Sequence, residues 1–405
     1  MERVFKRLWA ETSGNAAMIF GLVFVPLLLL GAFAIDSARH LSSNKHIQAA
    51  VDAASLAAAR ALEDATKSEA DIKAIAKDSY RANLLGMHND VACGDPVVQV
   101  NRVTGTVNVQ AACKTPTMLG ETLTRNDMDS NNSATARANL TKLDLALMLD
   151  VSGSMGGQKL TDLKTAAKDA AATLITPSSG DRVRISFVSY AGSVNAGDYG
   201  NAALGRSTYD DSDGDGLEKV CVSERTGSAA WKDDKPEIGK WMGDDAVICP
   251  DSSLLPLTDN LTKFNQEIDD LTADGLTAGH LGVAWSWYLI APDWDNIWPT
   301  ASKPLSYTEP DTIKAVILMT DGQFNTVYES AMGDSNDQAK KMCEEMRDEG
   351  VIVYAVAFQA PTNAKNTLKN CTNDELRFFD AANGSELQAA YAAIASQLSA
   401  LTLVD

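Results

Sequence analysis

The run Leu143-Asp144-Leu145-Ala146-Leu147-Met148-Leu149 leads directly into Asp150-Val151-Ser152-Gly153-Ser154. A short, mostly apolar run that stops at a Gly turn reads as a buried strand. An Asp and two Ser at alternate positions, where that strand enters the turn, aim one carboxylate and two hydroxyls at a single point. Hard oxygen donors of this kind suit a small divalent cation such as Mg²⁺, which prefers octahedral oxygen and keeps some of its waters. The chain is rich in Asp and Ser, so the pattern needs partners. Two lie downstream: Thr277 in Asp274-Gly275-Leu276-Thr277, and Asp321-Gly322 after a second apolar run at 313–320. The competing reading is a helix N-cap at Asp150 and ordinary turn residues at Asp321-Gly322.

Asp150, Ser152, Ser154, Thr277 and Asp321 together resemble the metal-ion-dependent adhesion site (MIDAS) of von Willebrand factor A (VWA) domains. All five positions match that family's pattern in order, which favours the metal site over the cap-and-turn reading. The resemblance implies that Ser152 and Ser154 bind the metal directly. Thr277, Asp150 and Asp321 would bind it directly or through water. The implied cation is Mg²⁺, Mn²⁺ or Ca²⁺, with an Asp or Glu carboxylate from a partner protein at the last position.

Periodicity around the motif gives the fold class. Apolar strands at 143–149, 183–190, 313–319, 351–358 and 377–379 alternate with amphipathic helices at 159–175, 281–289, 336–348 and 385–401. The pattern predicts an α/β fold of Rossmann-like type, a mostly parallel sheet covered by helices on both faces. In open sheets of this kind ligands sit beyond the carboxyl ends of the strands, where Asp150 and Asp321 lie.

Between about 193 and 257 the alternation breaks into a polar, Gly- and Asp-rich insertion. Within it Asp211, Asp213 and Asp215 match the first half of an EF-hand calcium loop. Val222 stands where the bidentate Glu should be, so a Ca²⁺ site competes with a plain solvated acidic loop. Six of the seven Trp fall between Trp231 and Trp298. They form either a recognition surface or, more commonly, core packing of the insertion against its domain.

A formal charge of −19 disfavours nucleic acid and anionic membrane surfaces as non-specific partners. Six Cys fall into sequence-local pairs, Cys93/Cys113, Cys221/Cys249 and Cys343/Cys371. None has zinc-knuckle spacing, so three disulfides in an oxidising compartment are expected, with buried thiols the alternative for any one pair.

Residues 16–35 carry no charge and are long enough to cross a bilayer as a helix. Arg3, Lys6 and Arg7 precede them and Asp36 follows, so the positive-inside rule leaves the N-terminus cytoplasmic. A cleaved signal peptide is the rival reading, with Ala32-Phe33-Ala34 as its cleavage-like site; the helical continuation favours a retained anchor. Residues 37–85 read as one long Ala-rich helix. A β-hairpin follows at 97–112, turning at Thr104-Gly105, with Cys93 and Cys113 at its open end. Residues 115–132 read as a linker or extended arm, and 134–140 as a strand leading into the α/β domain.

The segment Ser13-Gly14-Asn15-Ala16-Ala17, the apolar span, Ile35-Asp36, Arg39 and the Ala-rich run 48–59 resemble the N-terminus of TadE/TadG-like proteins of Flp (tight-adherence) pilus assembly. That resemblance covers about the first sixty residues, and the TadG-like members join such a segment to a VWA domain. It implies a bacterial inner-membrane, single-pass protein with a periplasmic C-terminal domain. Pilus or secretion-machinery components would be its partners, with homo-oligomers a further option. The expected organisation is an anchor at 1–35, a helix, stapled hairpin and linker at 36–140, and a VWA domain at 141–405.

No enzyme is expected. No Gly-x-Ser-x-Gly elbow spans Ser152 or Ser154, no phosphate-binding Gly-Lys-Ser/Thr loop is present, and His40, His46, His88 and His280 stand apart. His280, near the proposed site, reads as a surface loop residue. The expected function is metal-dependent protein binding in pilus assembly or anchoring. The alternative is an oligomerising scaffold in which the metal only stabilises the fold.

Overall fold

The computed structural model describes residues 15–85, 91–117, 127–206, 219–246 and 248–402. The chain divides into two compact units, Met1–Asn139 and Leu140–Asp405.

In the first unit, helix α1 (Asn15–Leu62) runs without interruption through Pro26. Its first part is apolar and exposed, Met18, Leu22, Phe24, Leu27, Leu30 and Phe33 among others. Leaving such side chains in water forgoes roughly 1.5–3 kcal/mol each. By length and composition this helix can cross a membrane. Beyond Asp36 the character changes. Ser43, Ile47, Ala50, Val51, Ala54, Ala58 and Leu62 are buried at spacings of three and four, one stripe of a helix packed on its own unit.

The expected single helix over 37–85 is two helices. A turn at 63–68 separates α1 from α2 (Glu69–Leu84), and Ser68 starts α2 with a capping box to Asp71. The capping signal Ser-x-x-Asp outweighed an unbroken Ala-rich periodicity. Strands β1 (Ala92–Cys93), β2 (Val97–Asn101), β3 (Thr106–Pro116) and β4 (Asp127–Arg137) form an antiparallel sheet. The described ends of the 115–132 stretch are extended arms rather than a linker, because β3 runs to Pro116 and β4 pairs with its whole length. The strand expected at 134–140 is the end of β4, in this sheet rather than in the α/β domain. Cys93 and Cys113 face each other in register and are bonded.

The second unit is an α/β fold with a mostly parallel sheet covered on both faces. Strands β5 (Lys142–Asp150), β6 (Val183–Tyr190), β10 (Thr312–Thr320), β11 (Ile352–Phe358) and β12 (Phe378–Ala381) stand in the order β12-β11-β10-β5-β6, all parallel. Short antiparallel strands extend the β6 side: β7 (Val194–Asn195), β8 (Cys221–Val222) and β9 (Leu255–Thr258).

The period-two alternation of β5 sorts the core. Leu143, Leu145, Leu147 and Leu149 join the core beside α3 (Gln158–Leu174), α4 (Leu261–Asp269) and α8 (Gly384–Thr402). Ala146 and Met148 join the opposite core beside α5 (Gly279–Tyr288), α6 (Ser335–Asp348) and α7 (Thr362–Thr372). On α8, Leu387, Tyr391, Ile394 and Leu398 form the stripe that meets the sheet. Disulfide Cys343–Cys371 ties α6 to α7, and Cys221–Cys249 closes the insertion.

Four of the six clustered tryptophans belong to the core, while Trp231 and Trp241 are half-buried. Trp285, Trp287, Trp294 and Trp298 are buried, and Arg225 of the insertion lies over the Tyr288 and Trp294 rings while donating to the Lys240 carbonyl. From β5 the chain crosses to β6 on one side, and from β10 to β11 on the other. The carboxyl ends of β5 and β10 thus mark the switch point of the sheet.

Candidate metal centre

Three loops meet at that switch point. The first follows β5 and carries Asp150, Ser152 and Ser154. The second carries Asp274, Gly275 and Thr277 just before α5, and the third carries Asp321 and Gly322 after β10. Backbone bonds stitch them together. Asp274 N donates to Val151 O at 2.9 Å, and Gly153 N donates to Gly275 O at 3.0 Å. Asn325 N and Thr326 N donate to Thr277 O, while Thr277 N donates to Asn325 Oδ1 at 3.0 Å. Gly275 holds φ at +83°, the left-handed region that suits glycine.

Asp150 is fully buried and both its oxygens are engaged. Oδ1 accepts from Ser152 N at 2.9 Å and from Ser152 Oγ at 2.6 Å. Oδ2 accepts from Thr320 Oγ1 at 2.7 Å and from Tyr190 OH at 3.0 Å. A polar chain continues from there. Ser152 Oγ lies 3.1 Å from Ser154 Oγ, which donates to Asp321 Oδ1 at 2.6 Å. Lys159 Nζ donates to Asp321 Oδ2 at 2.7 Å. Thr277 borders the same space: a Cβ built on Gly322 would stand 3.6 Å from Ser154 Oγ and 3.7 Å from Thr277 Oγ1. Asp150, Ser152, Thr277 and Asp321 are buried and Ser154 is exposed, so the cluster opens to solvent on the Ser154 side.

Electrostatics follow from this crowding. Burial, then the Asp321 charge, pushes the Asp150 carboxyl above its usual range, while the Ser152 and Thr320 bonds pull it back. Burial also pushes the Tyr190 phenol well up, keeping it a donor to Asp150. Two carboxylates at the end of a sheet are faced by one lysine ammonium, which leaves a formal excess of one negative charge to attract a cation.

Among the described residues no three His, Cys, Asp or Glu side chains gather as a metal-binding group. A cation here would be held instead by two carboxylates and three hydroxyls, all hard oxygen, with the space above Gly322 as its cradle. That donor set fits Mg²⁺, Mn²⁺ or Ca²⁺ and excludes a thiolate or imidazole site.

Sequence reading missed four contributors. Tyr190 and Thr320 orient Asp150, Lys159 faces Asp321, and Asn325 fixes Thr277. Tyr190 ends its strand in register with Asp150, a pairing that the sheet fixes and no sequence motif marks. His280 is not a surface residue. It is buried on α5, with Nδ1 2.8 Å from Ser335 Oγ and Nε2 3.3 Å from Glu224 Oε2. Glu224 Oε1 accepts from Tyr328 N and Glu329 N, so the insertion is bonded to the segment that follows Asp321. Asp211, Asp213 and Asp215 lie outside the described residues.

Residues 14–61 match a family model described as "Putative Flp pilus-assembly TadE/G-like". This segment is TadE/G-like. The TadE/G-like stretch comprises the exposed apolar part of α1 and most of the buried stripe that follows it. Among curated proteins none matches the chain.

Solved structures similar to the chain include the vWF domain of the type V pili tip protein Mfa5 from Porphyromonas gingivalis. It is 14% identical with a TM-score of 0.40, covering 64% of this chain and 95% of that one. The pilus adhesin SpaC from Lactobacillus rhamnosus GG is 13% identical with a TM-score of 0.40, covering 76% of this chain and 34% of that one. Proximal thread matrix protein 1 from the mussel byssus, solved with a zinc-occupied MIDAS motif, is 14% identical with a TM-score of 0.36; 63% of this chain and 47% of that one are covered.

Proposed function

We propose that this protein is a membrane-anchored component of Flp-type pilus assembly whose α/β unit binds a partner protein through a divalent cation. One observation carries the reading: Ser152, Ser154 and Asp321 form a continuous polar chain from a buried Asp150, opening beside Thr277 toward solvent. Ser152, Ser154 and Thr277 would supply hydroxyls, and Asp150 and Asp321 the negative charge. Mg²⁺ bound there supplies Lewis acidity toward one further oxygen ligand. Neutral hydroxyl donors quench that acidity less than a ring of carboxylates, so an incoming Asp or Glu side chain is the fitting ligand.

The TadE/G-like segment supports anchoring, since α1 offers an exposed apolar stretch long enough to span a bilayer. Basic residues before it favour, by the positive-inside rule, a C-terminal unit on the periplasmic side, a compartment in which three disulfides would be stable. The proposed chemistry is binding rather than turnover: among the described residues, the carboxylates bonded to Ser152 and Ser154 are already engaged. Capture of envelope partners by the full-length protein, with Mg²⁺ and with EDTA, tests the proposal. Metal-dependent capture that Asp150→Ala abolishes is expected. Equal capture in EDTA, or by the folded variant, defeats it.

A further inference from the structure

Lys159 has no helical reason to be where it is. It occupies the first turn of α3, where the helix dipole disfavours a cation by about 0.3–1 kcal/mol. Its stem runs along the sheet end, with Nζ 5.9 Å from the centroid of the Phe358 ring. The head group reaches Asp321 Oδ2 at 2.7 Å, where the Asp321 side chain is 0% exposed and that of Lys159 28% exposed.

With that contact all four carboxylate oxygens of Asp150 and Asp321 are engaged. Asp150 is held by Ser152, Thr320 and Tyr190, all set in loops and strands of the framework. Asp321 Oδ1 is held by Ser154, itself in the first loop. Lys159 is the one partner on a long, flexible and partly exposed stem, and the one carrying positive charge.

We propose that Lys159 is a tethered counter-ion of the metal site. Its ammonium stabilises Asp321 while no cation is bound, and it opposes an incoming divalent ion both by charge repulsion and by occupying Asp321 Oδ2. Metal uptake then requires the ammonium to swing outward, toward the face where a partner's carboxylate would arrive. Lys159 thereby sets the metal affinity and keeps the cluster folded when metal is scarce. This inference rests on the metal-binding reading of the site.

The test uses the full-length protein in detergent micelles, with MgCl₂ titrated by calorimetry and thermal unfolding followed in EDTA and in Mg²⁺. Lys159→Met is expected to bind Mg²⁺ at least tenfold more tightly than wild type. It is also expected to unfold at a lower temperature in EDTA, with the gap closing on addition of Mg²⁺. Lys159→Arg keeps the charge and should stay near wild type. Wild-type or weaker Mg²⁺ affinity in Lys159→Met overturns the counter-ion role while leaving the metal site standing. If neither wild type nor Lys159→Met takes up Mg²⁺, the metal reading fails and the inference with it. Lys159→Gln guards against a folding failure: if both neutral variants fail to fold even in Mg²⁺, Lys159 is structural and the proposal is overturned.

Discussion

Ser154 Oγ donates to Asp321 Oδ1 at 2.6 Å across 167 residues of chain. Ser154 belongs to the turn after β5 and Asp321 to the turn after β10. The two strands are hydrogen-bonded neighbours in the sheet, and their ends are therefore side by side. No local preference brings these side chains together; the parallel pairing of β5 and β10 does.

Removing that hydroxyl should act on both metal and fold. Ser154 is exposed, but it is the partner of Asp321 Oδ1 on a buried side chain, so Ser154→Ala is expected to cost about 1–3 kcal/mol in EDTA. Mg²⁺ affinity should fall at least ~10-fold, since loss even of an outer-shell partner typically costs that much. Calorimetric titration checks the affinity, and urea unfolding in EDTA the stability.

Tyr190→Phe takes one of four donors from a buried carboxylate. A hydrogen bond to a charged group contributes about 1.5–3 kcal/mol, and the variant should lose stability of that order in urea titrations. An unchanged midpoint would mean that Thr320 and Ser152 satisfy Asp150 without the phenol.

Gly282 on α5 lies against the same tyrosine. A Cβ there would stand 2.7 Å from Tyr190 Cδ1 and 2.9 Å from Met148 Cε. Gly282→Ala should therefore cost about 1–3 kcal/mol by overpacking. Because Tyr190 must shift, Mg²⁺ affinity should drop with it. A stable variant with full metal affinity would show that the helix can retreat.

Glu224 gives the fold an acid-sensitive link. Burial pushes its carboxyl up, but the His280 imidazole and the Glu329 amide more than reverse this, bringing it to about 2 from an ordinary 4.5. A carboxyl lowered by folding adds stability above its unfolded pKa and loses it as pH falls through the folded value. Stability should decline between about pH 5 and pH 2 by up to ~3 kcal/mol from this group. Thermal unfolding across that range should show a shallower decline in Glu224→Gln, and an identical slope would remove the link.

The Cys343–Cys371 bond closes 28 residues between α6 and α7. Replacing both with Ser should cost about 3 kcal/mol, the loop entropy returned to the unfolded chain. Wild type unfolded with a reductant should lose at least as much, because reduction also opens Cys93–Cys113 and Cys221–Cys249.

That Asp150, Ser152, Ser154, Thr277 and Asp321 gather at one end of the sheet is legible in sequence because each sits in a short signature beside an apolar strand or a Gly turn. The break within 37–85 is faint in sequence because Ala-rich periodicity continues past Leu62, and the Ser68–Asp71 box marks the restart. The stretch 115–132 leaves linker and extended arm both open in sequence, because Asp, Ser and Asn are poor strand formers. The hydrogen-bonding edge of β3 overrode that preference.

By itself the sequence determined what repeats locally: the apolar strands, the helix faces, the neighbouring cysteines and the kind of atom offered to a cation. Those properties follow from residue type and spacing along a few turns of chain. The tertiary structure alone decided which distant groups meet. It set Lys159 against Asp321, Tyr190 beneath Asp150 and Glu224 against a buried His280. Strand order and the packing of two cores fix those contacts, and neither is written in any single stretch of residues.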